Sequence, residues 1–387
     1  MTAARMPMSW LDTLADRWRD SRNRLLSSPR FHRWAAAFPL TRPIARQRAS
    51  AVFDLVAGFV YTQILLACVR LNLFEILRDG SQALPALSLR LGLSTEATRR
   101  LLDAAVALDL CERRGKDEYA HEYALGPLGA PLVGNRAIAA MIEHHAMLYA
   151  DLRDPVALLR GDPTSGAVAA YWPYAGADVP DRLSEDRIAA YTQLMSSSQP
   201  LVADEILNAY SFAHHRCLLD VGGGDGTFLT TVARRHPHLK LQLFDLPAVA
   251  QHARAKFAKA GLSDRTEVTG GNFLVDRLPD GADIISLVRV VHDHDDERVI
   301  ALLRAARAAL PLGGALLIAE PMSATPGAKA MGDAYFSFYL LAMGGGRPRT
   351  SSRLIDMLKS SGFGSPRILP TGQPLQTSLL LATAVSN

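Results

Sequence analysis

The sequence predicts an α/β protein: a doubly wound, mostly parallel sheet over residues 201–387, preceded by a mainly helical region that ends in a small hairpin. Three observations predict it. From Arg216 onward, short apolar strands alternate with helical stretches, the pattern of parallel strands joined by crossover helices. The first of these strands runs into the turn Gly222-Gly223-Gly224-Asp225-Gly226, and a glycine-rich turn between strand and helix marks a Rossmann-like sheet. Ahead of the sheet, a helix–turn–helix pattern is followed by two β-prone pieces, the order of a winged helix.

Residues 1–48 read as a basic arm. The first 50 residues hold ten Arg, no Lys and three Asp, a local net of +7, against +4 for the whole chain. Trp10, Leu11, Leu14, Trp18, Leu25 and Leu26 fall near one helical face, and Pro39 and Pro43 interrupt the pattern. A basic arm of this kind suits an anionic partner, lipid headgroups or nucleic acid. The apolar run Leu55–Val69 is broken by Thr62 and Gln63. It falls short of the ~18 residues of a spanning helix and reads as a buried or interface helix.

Residues 49–130 read as the winged helix, with a dimerisation role. Leu84–Leu93 is followed by Ser94 as N-cap, then by Glu96–Leu110, where Leu101, Leu102, Ala105 and Leu108 recur at helical spacing. Glu112–Leu125, with Gly115 and Lys116 at its middle, is the wing. Arg99 and Arg100 are offset by Glu96, Asp103 and Asp109, too little positive charge for a groove reader, so no nucleic acid is expected. Residues 131–200 are a helical linker that contributes to a pocket.

The sheet follows in order. Strands are expected at Cys217–Val221, Leu239–Phe244, Thr266–Thr269, Asp283–Val288 and Ala315–Ala319. Helices are expected at Thr227–Arg235, Pro247–Ala260 and Asp296–Leu310, and Arg367–Leu369 with Ser378–Ala384 forms an antiparallel terminal hairpin. A composition 49% hydrophobic and 21% charged is that of a globular chain. Three cysteines without a CxxC pair exclude a disulfide framework and a zinc site, so no metal is expected. The start of the chain lacks an apolar core before a small-residue cleavage site, so the expected location is cytoplasmic. Peripheral contact with the inner or intracytoplasmic membrane through residues 1–48 is a further expectation.

The glycine turn narrows the ligand. The nicotinamide fingerprint needs glycine where this chain has Thr227. The spacing is instead G-x-G-x-G through Gly222, Gly224 and Gly226, preceded by Asp220. An acid at the start of the loop suits a cationic ligand such as S-adenosylmethionine, which carries an ammonium and a sulfonium. Asp245 ends the second strand, 25 residues after Asp220, where a carboxylate can accept hydrogen bonds from both ribose hydroxyls.

Four ordered motifs carry a resemblance. Leu219-Asp220-Val221-Gly222-Gly223-Gly224, Phe244-Asp245-Leu246-Pro247, Gly271-Asn272-Phe273 and Val291-His292-Asp293-His294-Asp295-Asp296-Glu297 resemble, in order, those of the plant-type small-molecule O-methyltransferases. That family includes caffeate, acetylserotonin and anthracycline methyltransferases, and the resemblance spans roughly residues 50–385. It implies a class I methyltransferase fold, a homodimer through the winged helix, and S-adenosylmethionine as cofactor. The segments Pro29–Trp34 and Phe53–Tyr61 resemble the branch acting on hydroxyneurosporene or demethylspheroidene in purple-bacterial carotenoid synthesis, whose acceptor is a tertiary 1-hydroxyl.

By that resemblance Asp220, Gly222, Gly224, Asp245, Leu246, Asn272, Phe273 and Arg289 are cofactor-binding, although Asn272 stands where the family has Asp. His292 matches the catalytic base, and Glu320 the carboxylate that holds the other ring nitrogen. His294 takes the family's tryptophan position and reads as packing or surface. Pro348, in Gly345-Gly346-Arg347-Pro348-Arg349-Thr350, replaces a second glutamate, so one carboxylate is expected beside His292. The acceptor wall is expected from Met141–Tyr149, Tyr191–Met195 and Tyr335–Met343, with Met195, Phe336, Tyr339 and Met343 in the pocket. Alternatives are a same-family enzyme for a tetrapyrrole, polyketide or phenol, a winged-helix regulator with a ligand-sensing sheet, and a catalytically silent dimeric scaffold.

Overall fold

A computed structural model describes residues 10–115, 122–162, 166–171 and 198–386. The chain forms two compact units, Met1–Val133 and Gly134–Asn387.

In the first unit, helices Trp10–Leu26 and Pro29–Ala37 precede the 29-residue helix Arg42–Arg70. The pattern breaks where proline demands it, with Pro29 and Pro43 at helix starts, where the missing N–H costs nothing. The long helix crosses residue 48 without interruption and extends well beyond the apolar run Leu55–Val69. Length therefore no longer argues against a membrane span, as it did for the run alone. Nor is the helix buried within its own chain: Phe53, Leu55, Val56 and Phe59 are all exposed, while Leu66 and Cys68 are buried. Its C-terminal half packs with Leu73, Leu87, Leu102 and Tyr123 in one core. Helices Leu84–Leu91 and Thr95–Ala107 are separated by Gly92 in the left-handed region and by Ser94, whose hydroxyl accepts from Ala97 N–H. Strands β1 (Gln82–Ala83), β2 (Cys111–Arg114) and β3 (Glu122–Leu125) pair antiparallel in the order β1-β3-β2, which completes the winged helix.

The second unit is built on a seven-stranded sheet. Its strands are β4 (Cys217–Val221), β5 (Lys240–Asp245), β6 (Thr266–Gly270), β7 (Ile284–Val288), β8 (Ala315–Glu320), β9 (Phe363–Leu369) and β10 (Ser378–Ala384). The order is β6-β5-β4-β7-β8-β10-β9, with β4 to β8 parallel and β10 antiparallel to both neighbours. β4, β7 and β8 are buried along their whole length, as strands covered on both faces must be, and this is why they read as unbroken apolar runs. Two hydrophobic cores flank the sheet, one holding Leu219, Ile285, Leu302 and Leu354, the other Leu218, Phe228, Val232 and Phe257. The order reverses between β4 and β7, so a crevice opens beyond their carboxyl ends.

Candidate active site

The residues singled out for the cofactor, Arg289 after β7 excepted, gather at the carboxyl ends of β4, β5 and β6. Gly222 and Gly224 both hold positive φ, 71° and 60°, which lets the chain fold back over the sheet edge. A side chain at Gly222 would strike Val290 at 2.6 Å, and one at Gly223 would meet Asp220 Oδ2 at 2.8 Å. Asp245 fixes the turn from the next strand: Oδ2 accepts from Gly224 N–H at 2.8 Å and Oδ1 from Leu246 N–H at 2.7 Å. Asp220 is 1% exposed. Its Oδ1 accepts from the Ser286 hydroxyl at 2.6 Å, across the β4–β7 pairing. Its Oδ2 has no partner among the described residues, and burial pushes its carboxyl up to about 7. A buried, unsatisfied carboxylate oxygen is costly until something donates to it.

Asn272 and Phe273 follow β6. The Asn272 carbonyl oxygen accepts from Leu274 N–H at 3.0 Å, so one of its lone pairs serves the local turn and one remains. Phe273 meets His294 edge-on at 5.2 Å, which makes His294 a packing group.

His292 sits on a short turn of helix after β7 and is 6% exposed. Its expected partner is placed differently. Glu320 Oε2 accepts from the backbone N–H of His292 at 3.0 Å, while Nδ1 of the ring lies 3.8 Å away, beyond a hydrogen bond. Nε2 instead lies 3.0 Å from Asp293 Oδ1. The expectation of a single flanking carboxylate is thus corrected: Asp293 supplies the second one that Pro348 does not. Burial alone would hold the imidazole below its usual range. Asp293, by charge and hydrogen bond, and then Glu320 raise it above that range, with Arg289 opposing. Glu320 is wholly buried; burial raises its carboxyl and the neighbouring His292 draws it back.

The segment with Pro348 has another task. Arg349, only 3% exposed, donates to the carbonyls of Val291 at 2.9 Å and His294 at 2.7 Å, and to Asp296 Oδ1 at 2.8 Å. Arg347 N–H donates to His292 O at 2.9 Å. This arginine clamp holds the turn that presents His292. Its signal in the sequence, two arginines around a proline, has no meaning until the fold brings residue 349 to residue 291.

Beside His292 opens a cleft. Phe336, Tyr339 and Met343 line it, with Met141, Leu340 and Ala137. The π-helical turn Ala330–Tyr335 leads into the helix Phe336–Met343, which carries most of this wall. Arg289, assigned to the cofactor on sequence, lines the cleft as well; its guanidinium donates to Ser198 Oγ at 2.8 Å. Ser198 is a lining residue that sequence reasoning passed over, while His144 falls in the expected stretch Met141–Tyr149. Met195 lies outside the described residues, as does the rest of Tyr191–Met195.

A sheet of this order, with an acid-led glycine turn and a second carboxylate ending the next strand, defines a class I methyltransferase that uses S-adenosylmethionine. Two family models match: an O-methyltransferase dimerisation domain over residues 53–135 and an O-methyltransferase domain over residues 149–364. The chain is 40% identical to the demethylspheroidene O-methyltransferase of Cereibacter sphaeroides, over 94% of each protein. It is 39% identical to that of Rhodobacter capsulatus, over 93% of this chain and 88% of that one. Among solved structures, a mitomycin 7-O-methyltransferase is 25% identical with a TM-score of 0.69, covering 89% of this chain and 100% of that one. The chain belongs to the O-methyltransferase family. It is an S-adenosylmethionine-dependent O-methyltransferase, and the regulator and scaffold alternatives fall away.

Proposed function

We propose that the acceptor is the tertiary 1-hydroxyl of an acyclic carotenoid, of the hydroxyneurosporene or demethylspheroidene type. The reading rests on one observation above others: His292, with Arg289, Ser198 and Asp293, shares a cleft whose other described lining residues are, apart from His144, aromatic, aliphatic or thioether. The demethylspheroidene relatives support it by similarity along nearly the whole chain. The hydroxylated end of the polyene enters the cleft and the rest of the polyene projects outward.

The residues present fit the cofactor. Asp220 Oδ2, still in want of a donor, suits the ammonium of S-adenosylmethionine; Gly222 and Gly224 leave room for the ligand against the backbone. Asp245 and Leu246 are assigned to the ribose and Asn272 and Phe273 to the adenine. The bound cofactor supplies an already activated methyl group, so the protein's share is alignment and removal of one proton. His292 takes that proton. A tertiary alcohol is too weak an acid to ionise beforehand, so proton removal accompanies transfer. Asp293 and Glu320 both favour the imidazolium, the state reached once the proton has been accepted. Arg289, at the same end of the cleft, offers positive charge to the oxygen as its proton leaves.

The test is incubation with labelled S-adenosylmethionine and a panel of 1-hydroxycarotenoids, phenols and tetrapyrroles. Label on the tertiary ether is expected; label confined to phenols or tetrapyrroles overturns the acceptor.

Two surfaces of the first unit complete the proposal. The exposed apolar face at Phe53, Leu55, Val56 and Phe59 lies at the start of the matched dimerisation domain, and a second copy of the chain covers it. Light scattering at micromolar concentration is expected to give a dimer. Ahead of that domain, Trp10, Trp18 and Trp34 are each more than half exposed on helices rich in arginine. This arm lies on an anionic membrane surface, where tryptophan favours the headgroup boundary and each arginine adds about 1 kcal/mol. Replacing Arg17, Arg19, Arg22 and Arg24 by Gln is expected to abolish sedimentation with phosphatidylserine vesicles at low salt. Unchanged sedimentation, or loss of the dimer instead, assigns the arm to the partner subunit.

A further inference from the structure

Two histidines that no role above uses adjoin the aromatic wall, and His144 itself lines the cleft. His144, 8% exposed on the helix Arg136–Asp151, has its Nε2 2.6 Å from the hydroxyl of Tyr339. The next residue, His145, has its Nε2 2.7 Å from the hydroxyl of Tyr335. Both tyrosines line the cleft. Their rings also stack on each other at 5.9 Å, and Tyr335 meets Phe336 edge-on at 5.1 Å, so the wall is one packed aromatic surface. Burial, and then its neighbour His145, lower His144 to about 4, and burial lowers His145 as well, so both imidazoles are neutral at ordinary pH. Tyr335 is pushed up to about 12 by burial and keeps its proton.

Two phenols in an apolar wall would ordinarily call for water or a polar ligand, because a buried hydroxyl without a partner costs about 1–3 kcal/mol. Here each is met from within the protein. Apart from the two tyrosines and His144, whose Nε2 meets Tyr339, the polar residues in the described lining are Arg289, Ser198, His292 and Asp293, grouped around the reacting centre. We infer that His144 and His145 are specificity determinants, which occupy the hydroxyls of Tyr339 and Tyr335 so that the wall accepts an acceptor with one polar end and an otherwise apolar body. The inference deepens the acceptor proposed above and rests on that reading for the identity of the body, not for its polarity.

Removing one partner and removing both have opposite consequences. His144→Leu takes from the Tyr339 hydroxyl the partner that His144 Nε2 provides. His144→Leu with Tyr339→Phe removes donor and acceptor together, a change that is close to neutral when shape is kept. His144→Gln retains a hydrogen-bonding group. The measurement is calorimetric affinity of the enzyme loaded with S-adenosylhomocysteine for two probes: a linear polyene tertiary alcohol and a dihydroxyphenol.

In His144→Leu the ratio of the two affinities is expected to fall at least tenfold against the polyene alcohol. The double variant is expected to recover it, and His144→Gln to hold it within about threefold, with S-adenosylhomocysteine affinity unchanged throughout. A ratio that stays constant in His144→Leu overturns the inference. So does a double variant as poor as the single one, the result expected of a proton relay or a scaffold role. Failure of the wild type to methylate any 1-hydroxycarotenoid refutes the acceptor assignment separately, since the affinity ratio is read without turnover.

Discussion

The turn after β4 and the cleft after β7 share one edge of one sheet, yet they are built from different materials. The turn is backbone and strand ends: glycines with positive φ and two carboxylates from neighbouring strands, all within 25 residues from Asp220 to Asp245. The cleft is side chains drawn from Ala137 to Met343, on a helix, a loop and a π-helical turn. A binding function common to many enzymes can rest on backbone geometry, which tolerates little variation. A function that must differ between enzymes rests on side chains, which can be exchanged without disturbing the sheet.

The largest effect that sharpens this comparison is His292→Ala. It is expected to lower kcat roughly 10²–10⁴-fold and leave S-adenosylmethionine affinity within error, measured by single turnover and calorimetry. A wild-type single-turnover rate on the true hydroxyl acceptor removes His292 as the base. Next is Asp245→Ala, expected to weaken cofactor affinity at least tenfold, about 1.5–3 kcal/mol, because ribose hydroxyls and the Gly224 N–H lose one acceptor. Unchanged affinity in a folded variant refutes the assignment. If either change moves both quantities strongly, the two ends are one coupled device and the contrast breaks.

A smaller effect concerns pH. The base must be neutral to act, and Asp293 and Glu320 hold His292 above its usual range. Single-turnover rate should therefore rise with pH through a value above 6.5, the ordinary histidine. Asp293→Asn removes the larger of the two raising influences, so the acidic limb moves to lower pH. A limb that stays in place in Asp293→Asn means that another group titrates there.

The same contrast explains what could be read from the sequence. The doubly wound sheet was legible because β4, β7 and β8 are unbroken apolar runs and the glycine turn follows directly on β4. The reversal in strand order, which opens the crevice, has no signature of its own. Phe336, Tyr339 and Met343 were found because Tyr335–Met343 offers aromatic and thioether surface, and the structure brings all three to the cleft beside His292. Asp293 as a partner of the ring was missed because adjacent residues usually point apart; the short turn Val291–Asp293 brings them together. Arg349 was missed because its partners lie more than fifty residues away in sequence. The histidine–tyrosine pairs were missed for the same reason, at separations of 195 and 190 residues.

The position of β10 carries a consequence for biosynthesis. Glu320 ends β8, and its strand is bordered on the far side by β10, with Ser378 opposite Glu320. β10 also separates β8 from β9, although β9 precedes it in the chain. While the polypeptide is being translated, β8 therefore has an open edge from its own emergence until Ser378–Ala384 leaves the ribosome, and β9 has no neighbour to join. Unpaired edges of buried strands are where nascent chains find wrong partners. The half of the sheet to which the cofactor is assigned, β4 to β6, can assemble early; the half that holds Glu320 must wait for one late strand. Nascent chains stalled before residue 378 should for that reason recruit chaperones that bind exposed strands, and release them when β10 is added.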